Sequence, residues 1–395
     1  KPKPKYIGVT GTNGKTTTTY LVQSILKEAG YRCAVIGTLS GRLTTPSPWH
    51  LKRLGRRYQQ RHYDWVVMEV SSHGIHQNRI KGIPYTVKAL TNITQDHLDY
   101  HKTMEEYRRV KLDWFNSGDC HKVTFWNDED RDQGPGTRDQ EKSKIQNPKS
   151  SIQKNIVRAI HESPQQHQSF YEKNRQLAAE ICRSIGIAED VIQAGLSKAA
   201  QVPGRFEFVD YGQPYRIVID YAHTPDGLVK VLEEASLLMG RDQVSGVRCR
   251  VSDEMPKPET RNQKPRLIVV FGCGGDRDHG KRPIMGQIAA SMADVVIVTS
   301  DNPRSEDPGV IIEDILEGIK EGSGIREQGS DNTLKPELIV EVDRAVAIKR
   351  ALEIAAGDDF VVLAGKGHET YQIFKDETIH FSDKEEVEKN LSTSE

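Results

Sequence analysis

The segment GTNGKTT (Gly11–Thr17) carries residue types and spacing suited to holding an anion. Glycines let backbone N–H groups turn towards a negative charge, and a helix opening directly behind them adds favourable partial charge. The apolar run Tyr6–Val9 precedes the segment and a helical pattern, Thr16–Ala29, follows it. Strand, glycine-rich turn and helix are the context in which such a loop cradles phosphates. Lys15 would then reach the β- and γ-phosphates of a nucleotide, and the Thr16 hydroxyl would sit on Mg²⁺. The usual pattern has a glycine five positions before Gly14, where this chain has Val9, so the loop is a shortened Gly-x-x-Gly-Lys-Thr. The plain alternative is a strand–helix turn that binds nothing.

Further along, DWVVMEVSSHG places Glu69 at the end of a buried strand. A carboxylate beside a phosphate loop is a natural oxygen ligand for Mg²⁺, although a helix cap would use the same group. In TNITQDHLDYH, His97 and His101 stand four apart and would share a helical face, a zinc-like spacing with no Glu-x-x-His arrangement or third ligand behind it. Asp96 suits helix capping as well as a metal. Lys111, in YRRVKLDWF, reads as a solvated lysine on an amphipathic helix. Asp-Asn-Pro-Arg, Asp301–Arg304, reads as an ordinary turn.

These residues need a frame. Short apolar runs at Tyr6–Val9, Ala34–Ile36, Trp65–Val70 and Ala89–Leu90 alternate with helical patterns such as Thr16–Ala29 and Met104–Phe115. Helical text resumes at YEKNRQLAAEICRSIG and Ala188–Ala200. Strands are expected again at Arg216–Asp220, Leu267–Phe271, Val295–Thr299, Leu338–Val340 and Phe360–Ala364. The fold class is therefore α/β, with mostly parallel sheets covered on both faces. Two domains are expected, residues 1–203 and 204–395, with polar loop insertions at 128–168 and 241–264. Over 395 residues, 55 Lys+Arg balance 56 Asp+Glu, so no basic field exists to hold nucleic acid. Five scattered cysteines without a CxxC pair argue for a reducing, cytosol-like compartment, and no apolar run is long enough to span a membrane.

Taken in order, GVTGTNGKTTT, TTPSP, MEVSSHGIHQNRIKG, TNITQDHLDYH, YRRVK, VPGRFE, DYAHTPDGL, FGCGGDRDHGKRP, SDNPRSEDP and AGKGHETYQ resemble the motifs of the Mur ligases, ATP-dependent amino-acid-adding enzymes of peptidoglycan synthesis. The resemblance covers nearly the whole chain and points to the branch that adds meso-diaminopimelate. It implies a central P-loop ATPase-like domain followed by a Rossmann-like domain that binds the incoming amino acid. Gly11, Thr12, Asn13, Gly14, Lys15, Thr16 and Thr17 would bind ATP phosphates, with Asn92 and Asn174 in the nucleotide site. Thr16, Glu69, His97 and Lys111 would serve Mg²⁺, with Lys111 as a carbamate, an anion rather than a solvated cation.

The same resemblance assigns Arg205 to the phosphates and Asp220 to the ribose, with His223 in the same motif. Thr44, Thr45, Ser71, Gln77 and Arg79 would contact UDP-MurNAc-L-Ala-D-Glu. Arg277, Asp301, Asn302, Pro303, Arg304, Gly365 and Glu369 would contact meso-diaminopimelate. Arg304 at the fourth position of DNPR goes with that amino acid, whose distal carboxylate suits a guanidinium fork. Lys15, His97, Lys111 and Arg205 would be the catalytic set.

Four departures from the family pattern stand out. The phosphate loop begins within the first dozen residues, where full-length relatives carry a uridine-nucleotide-binding domain. The 128–168 text replaces part of the central sheet, and 241–264 is an unusual insertion. Tyr171 takes an asparagine position in FYEKN while Asn174 remains. The expectations are a monomeric, cytoplasmic enzyme (plastid for a plant or algal source), with no nucleic-acid or membrane partner. A folylpolyglutamate-synthetase-like ligase and a ligase-like protein kept as a structural partner, as in a plastid assembly, are the alternatives.

Overall fold

Strands buried on both faces need continuous apolar runs, and WVVME (Trp65–Glu69) and LIVVF (Leu267–Phe271) are buried from end to end. The computed structural model describes residues 2–41, 43–126, 156–157, 169–240, 264–325 and 336–392. Apart from 156–157 and residue 264, the expected insertions at 128–168 and 241–264 lie outside the described residues. The chain divides into two units, Lys1–Ala200 and Gln201–Glu395.

The first unit runs β1 (Lys5–Thr10), α1 (Lys15–Glu28), β2 (Cys33–Ile36), a 3-10 turn (Thr38–Ser40), α2 (Pro48–Gln60), β3 (Trp65–Glu69) and α3 (Ser72–His76). It continues through β4 (Tyr85–Leu90), α4 (Leu98–His101), α5 (Met104–Asn116), β5 (His121–Thr124), β6 (Ile156–Val157), α6 (Phe170–Ser184) and α7 (Glu189–Ser197). Its strands pair in parallel in the order β2-β3-β1-β4-β5-β6. Successive residues of β3 feed opposite faces: Trp65 and Val67 join a core with α1, α6 and α7, while Val66 and Met68 join one with α5. The chain leaves β1 towards one side of the sheet and later returns to the other, so the carboxyl end of β1 is a switch point where ligands collect. Sequence patterning misses α2, because its inward residues Leu51, Leu54 and Tyr58 are submerged among cations.

Gln201–Glu395 holds β7 (Glu207–Val209), β8 (Arg216–Asp220), α8 (Pro225–Leu238), β9 (Leu267–Phe271), α9 (Lys281–Met292), β10 (Val295–Val298) and α10 (Pro308–Ile325). It ends with β11 (Glu337–Val340), α11 (Arg344–Ile354), β12 (Phe360–Ala364), the hairpin β13 (Tyr371–Ile373) and β14 (Thr378–His380), and α12 (Asp383–Ser392). The sheet order is β11-β10-β9-β12-β8-β7, parallel except for β7. The bounds of β8, β9 and β12 coincide with those expected from the sequence. Among the described residues no helix is long and apolar enough to cross a membrane, and Cys33, Cys120, Cys182 and Cys273 are free thiols.

Candidate active site

The loop after β1 is held in a shape that glycine alone tolerates. Gly11 has φ 144° and Gly14 φ 82°; a Cβ on either would fall 1.8 Å from Thr91 Oγ1 or 2.4 Å from Asn174 Oδ1. The end of β4 anchors the loop: Thr12 N donates to Asn92 O (2.9 Å), Asn13 N to Asn92 Oδ1 (3.0 Å), and Asn92 Nδ2 to Asn13 O (3.2 Å). Lys15 Nζ folds back onto the carbonyls of Gly11 (2.9 Å) and Thr12 (2.8 Å). Buried Thr16 donates from Oγ1 to Glu69 Oε2 at 2.9 Å, and the neighbouring Thr17 is buried as well. Glu69 also accepts from Thr38 N (2.9 Å) and Thr38 Oγ1 (3.1 Å), so it serves the phosphate loop and the 3-10 turn together. Asn174 on α6 is buried against Gly14 and accepts from Thr18 Oγ1 at 3.4 Å.

Lys111 overturns its reading as a solvated lysine. It is 1% exposed, on the stripe Tyr107, Val110, Lys111 and Trp114 that α5 turns to the sheet. Gly8 allows that approach, since a Cβ there would meet Tyr85 at 2.7 Å and Trp114 at 2.9 Å. Lys111 Nζ donates to Gly11 O at 2.6 Å and sits 4.7 Å from the centre of the Tyr107 ring. The Tyr107 hydroxyl in turn lies 3.0 Å from Thr12 Oγ1. Burial, and then the charge of Lys15, push the Lys111 ammonium well below its ordinary range.

His97 and His101 do not share a helical face. His97 is the left-handed N-cap of α4, at φ 55°, with Nε2 3.4 Å from Asp96 Oδ2. Asp96 stands just before that N-cap, and its Oδ1 accepts the His97 N–H at 2.8 Å. Burial pushes His97 down to about 4 against the pull of Asp96, which leaves a neutral imidazole at neutral pH. Among the described residues, no group of three or more His, Cys, Asp or Glu is arranged to hold a metal. The shared helical face on which a zinc spacing would rest is absent here, while an ion completed by a substrate's oxygens needs fewer protein ligands.

Beyond Glu69 lies a connected polar cluster. Thr45 Oγ1 donates to Glu69 O (3.0 Å) and accepts from Ser71 N (2.9 Å), and Arg79 Nη1 donates to Thr45 O (2.9 Å). Arg79 Nε bonds Gln77 Oε1 at 2.9 Å, and Thr44 Oγ1 lies 3.1 Å from Thr38 Oγ1. Thr44, Thr45, Ser71, Gln77 and Arg79 are thus brought together at the ends of β2 and β3.

The second unit gathers its residues at the ends of β8, β9, β10 and β12. Asp220 Oδ2 accepts from Phe206 N (2.7 Å), and burial raises its carboxyl in spite of Arg205. Arg205 stacks 4.6 Å from the centre of the Tyr221 ring, and His223 Nδ1 lies 2.8 Å from Tyr221 O. Asn302 Nδ2 donates to Glu369 Oε2 at 3.0 Å, and Asp301 packs beside Gly365, whose Cβ would stand 3.5 Å from Asp301 Oδ2. Arg304 (φ 53°) follows Pro303 and donates from Nη1 to Gly275 O at 2.7 Å, which ties its loop to the glycine-rich one. Arg277 on that second loop donates from Nη1 to Asp276 O at 3.3 Å. Sequence reading missed Tyr107, Tyr221, Tyr371 and, above all, Lys366, which is fully buried between Asp301, Asn302 and Glu369.

A shortened phosphate loop at a switch point, followed by a second parallel-sheet unit with polar strand ends, defines a two-unit α/β protein of the nucleotide-handling class. Residues 9–184 match the Mur ligase middle domain and residues 258–367 the Mur ligase glutamate ligase domain. The UDP-N-acetylmuramoyl-L-alanyl-D-glutamate–2,6-diaminopimelate ligase 1 of Clostridium acetobutylicum is 38% identical, covering 98% of this chain and 77% of its own. The corresponding ligase of Clostridium tetani is 37% identical with the same coverage of 98% and 77%. A solved structure of such a ligase superposes with TM-score 0.55 at 29% identity, over 99% of this chain and 79% of that one. The Thermotoga maritima MurF ligase, solved with ADP, shares the fold with TM-score 0.62 at 17% identity, over 100% of this chain and 81% of that one. The chain belongs to the Mur ligase family.

Proposed function

We propose that this chain is an ATP-dependent amide ligase that joins meso-diaminopimelate to UDP-N-acetylmuramoyl-L-alanyl-D-glutamate in cytoplasmic peptidoglycan synthesis. The observation that carries the reading is the phosphate loop with Lys15 and Lys111 on its carbonyls and Glu69 2.9 Å from Thr16 Oγ1. The relatives' names supply the substrates, and Arg304 supplies a guanidinium for a second carboxylate. In this reaction the γ-carboxylate of D-glutamate attacks the γ-phosphate of ATP, giving an acyl phosphate and ADP. The amine of diaminopimelate attacks the acyl carbon, and the tetrahedral intermediate collapses to amide and phosphate. The protein's part is alignment and charge neutralisation between two anions. Lys15 would exchange its two carbonyls for phosphate oxygens, and the Thr45–Ser71–Gln77–Arg79 cluster would hold the carboxylate substrate.

The residues fit Mg²⁺ in kind. Thr16 and Glu69 offer oxygens, and Mg²⁺ keeps waters and substrate phosphates rather than needing a full protein cage. Bound there, the ion would neutralise charge on the transferred phosphoryl group. A neutral Lys111 amine is also the form that adds to carbon dioxide, losing a proton to become a carbamate with oxygens near the loop. The test is phosphate release from ATP with UDP-MurNAc-L-Ala-D-Glu present, in separate arms with meso-diaminopimelate, lysine and glutamate. Release in the diaminopimelate arm is expected. Release with glutamate alone would move the chain to the folylpolyglutamate-synthetase-like reading, and release in no arm would leave the structural-partner reading.

A further inference from the structure

Lys366 has no place in the assignments above, yet it is the most enclosed cation among the proposed amino-acid contacts. Its side chain is 0% exposed. It stands between Gly365 (φ 115°) and Gly367 (φ 54°), a backbone path that turns the lysine under the carboxyl ends of β10 and β12. Nζ lies 3.2 Å from Asn302 Oδ1 and 3.4 Å from each of Asp301 Oδ1 and Glu369 Oε2. The Tyr371 and Phe381 rings close the remaining sides at 5.7 and 6.0 Å.

Two carboxylates around one ammonium leave one unit of negative charge uncompensated within the cluster. The neighbouring buried Arg344 feels Asp301 and Glu369 as well as Asp383, but it is paired with Asp383 at 2.7 Å and the pair adds no net charge to the cluster. Charge that is buried and unmatched is costly, so the arrangement calls for one more cation. Glu369 keeps its other oxygen towards the Tyr221 and Tyr371 hydroxyls, at 3.4 and 3.3 Å. That oxygen is bounded by neutral donors and is suited to a single incoming ammonium.

We propose that Lys366 is a positioning residue for amino-acid selection: it holds Asp301, Asn302 and Glu369 in one rigid cluster with a single net negative charge, matched to an amino acid bearing a second ammonium group. The proposal rests on the reading of this unit as the amino-acid site. Without Lys366, Asp301 and Glu369 would repel each other and swing apart, and the cluster would lose both its spacing and its single charge.

A double-mutant cycle on the whole chain tests this, with meso-diaminopimelate and nucleotide binding measured separately by calorimetry. Lys366→Met should weaken diaminopimelate binding roughly 10- to 100-fold and leave nucleotide binding unchanged. It should weaken 2-aminopimelate, which lacks the second amine, far less. Because Lys366 acts through Glu369, Lys366→Met in a Glu369→Gln background should add little further loss. Thermal unfolding of each variant checks folding, and Lys366→Gln, which keeps a donor, covers the case in which the methionine variant does not fold. Equal loss for both amino acids, additive losses in the cycle, or a parallel loss of nucleotide binding would overturn the proposal. If the wild-type chain binds lysine instead, the functional reading fails while the cycle run with lysine still decides the role of Lys366; binding of glutamate, which has no second ammonium, overturns both. A wild-type chain that binds no amino acid overturns both.

Discussion

At the residue scale, the ammonium of Lys15 and both nitrogens of His101 make opposite cases. Lys15 is bonded to the carbonyls of Gly11 and Thr12, so removing it takes away a loop brace as well as a charge for phosphate. Lys15→Ala should lower amino-acid-dependent phosphate release by about 10²-fold or more; near-normal release would contradict its role. His101 is buried, and neither ring nitrogen has a hydrogen-bond partner among the described residues. Burial, then His73 and His76, hold its imidazole below the ordinary range, as burial holds His97 and His368 at about 4. Between a folded value below the ordinary one and an unfolded value of about 6.5, the unfolded chain binds protons that the folded chain refuses. Stability is therefore fully present above about pH 6.5 and declines as pH falls towards 4. His101→Phe should remove part of that decline in urea titrations across this range. At pH 7 the substitution should be neutral or stabilising by up to about 1 kcal/mol. A steeper acid loss in the variant would count against this account.

At the scale of elements, α5 shows what the sequence disclosed and what it withheld. Its limits were legible from the apolar period, and so were β8, β9 and β12, whose uniform apolar runs permit few other structures. Lys111 was misjudged because lysine normally snorkels outwards, although Tyr107, Val110 and Trp114 already put it on the inward stripe. The phosphate loop was readable because glycine, lysine and threonine each have a local reason to be there. Lys366 was not, since Asp301 and Asn302 are brought to it by the end of another strand, β10, and only Glu369, three residues on, shares its loop. The seating of α5 depends on Gly8, over which Tyr85 and Trp114 close to 2.7 and 2.9 Å of a would-be Cβ. Gly8→Ala should cost about 1–3 kcal/mol by overpacking, measured by chemical denaturation. It should also weaken nucleotide binding, because Lys111 lies on the displaced helix. Unchanged nucleotide affinity in a destabilised variant would separate α5 from the loop.

At the scale of the whole molecule, each unit owns a sheet with a core on either face. Single-transition unfolding is not expected of such a chain. A ligand stabilises the unit that binds it, by mass action. Calorimetry should resolve two transitions. A nucleotide analogue with Mg²⁺ should raise chiefly the one that belongs to Lys1–Ala200, and the other to a smaller extent through Arg205 and Asp220; diaminopimelate should raise only the one that belongs to Gln201–Glu395. Saturating ligand at 100 times its Kd is worth about 2.7 kcal/mol, enough to read as a shift of several degrees. One transition that moves equally with either ligand would show the units unfolding as a single body.

Glu69 has a consequence that outlasts the question of which amino acid is used. Its carboxylate faces the phosphate loop at Thr16, while its own main-chain oxygen receives the Thr45 hydroxyl. On the proposed reading this one residue is a shared bearing for the donor and acceptor sides, so that a shift on either side would load the other. By reciprocity, whatever factor an occupied loop imposes on grip at Thr45, occupancy at Thr45 returns to the loop.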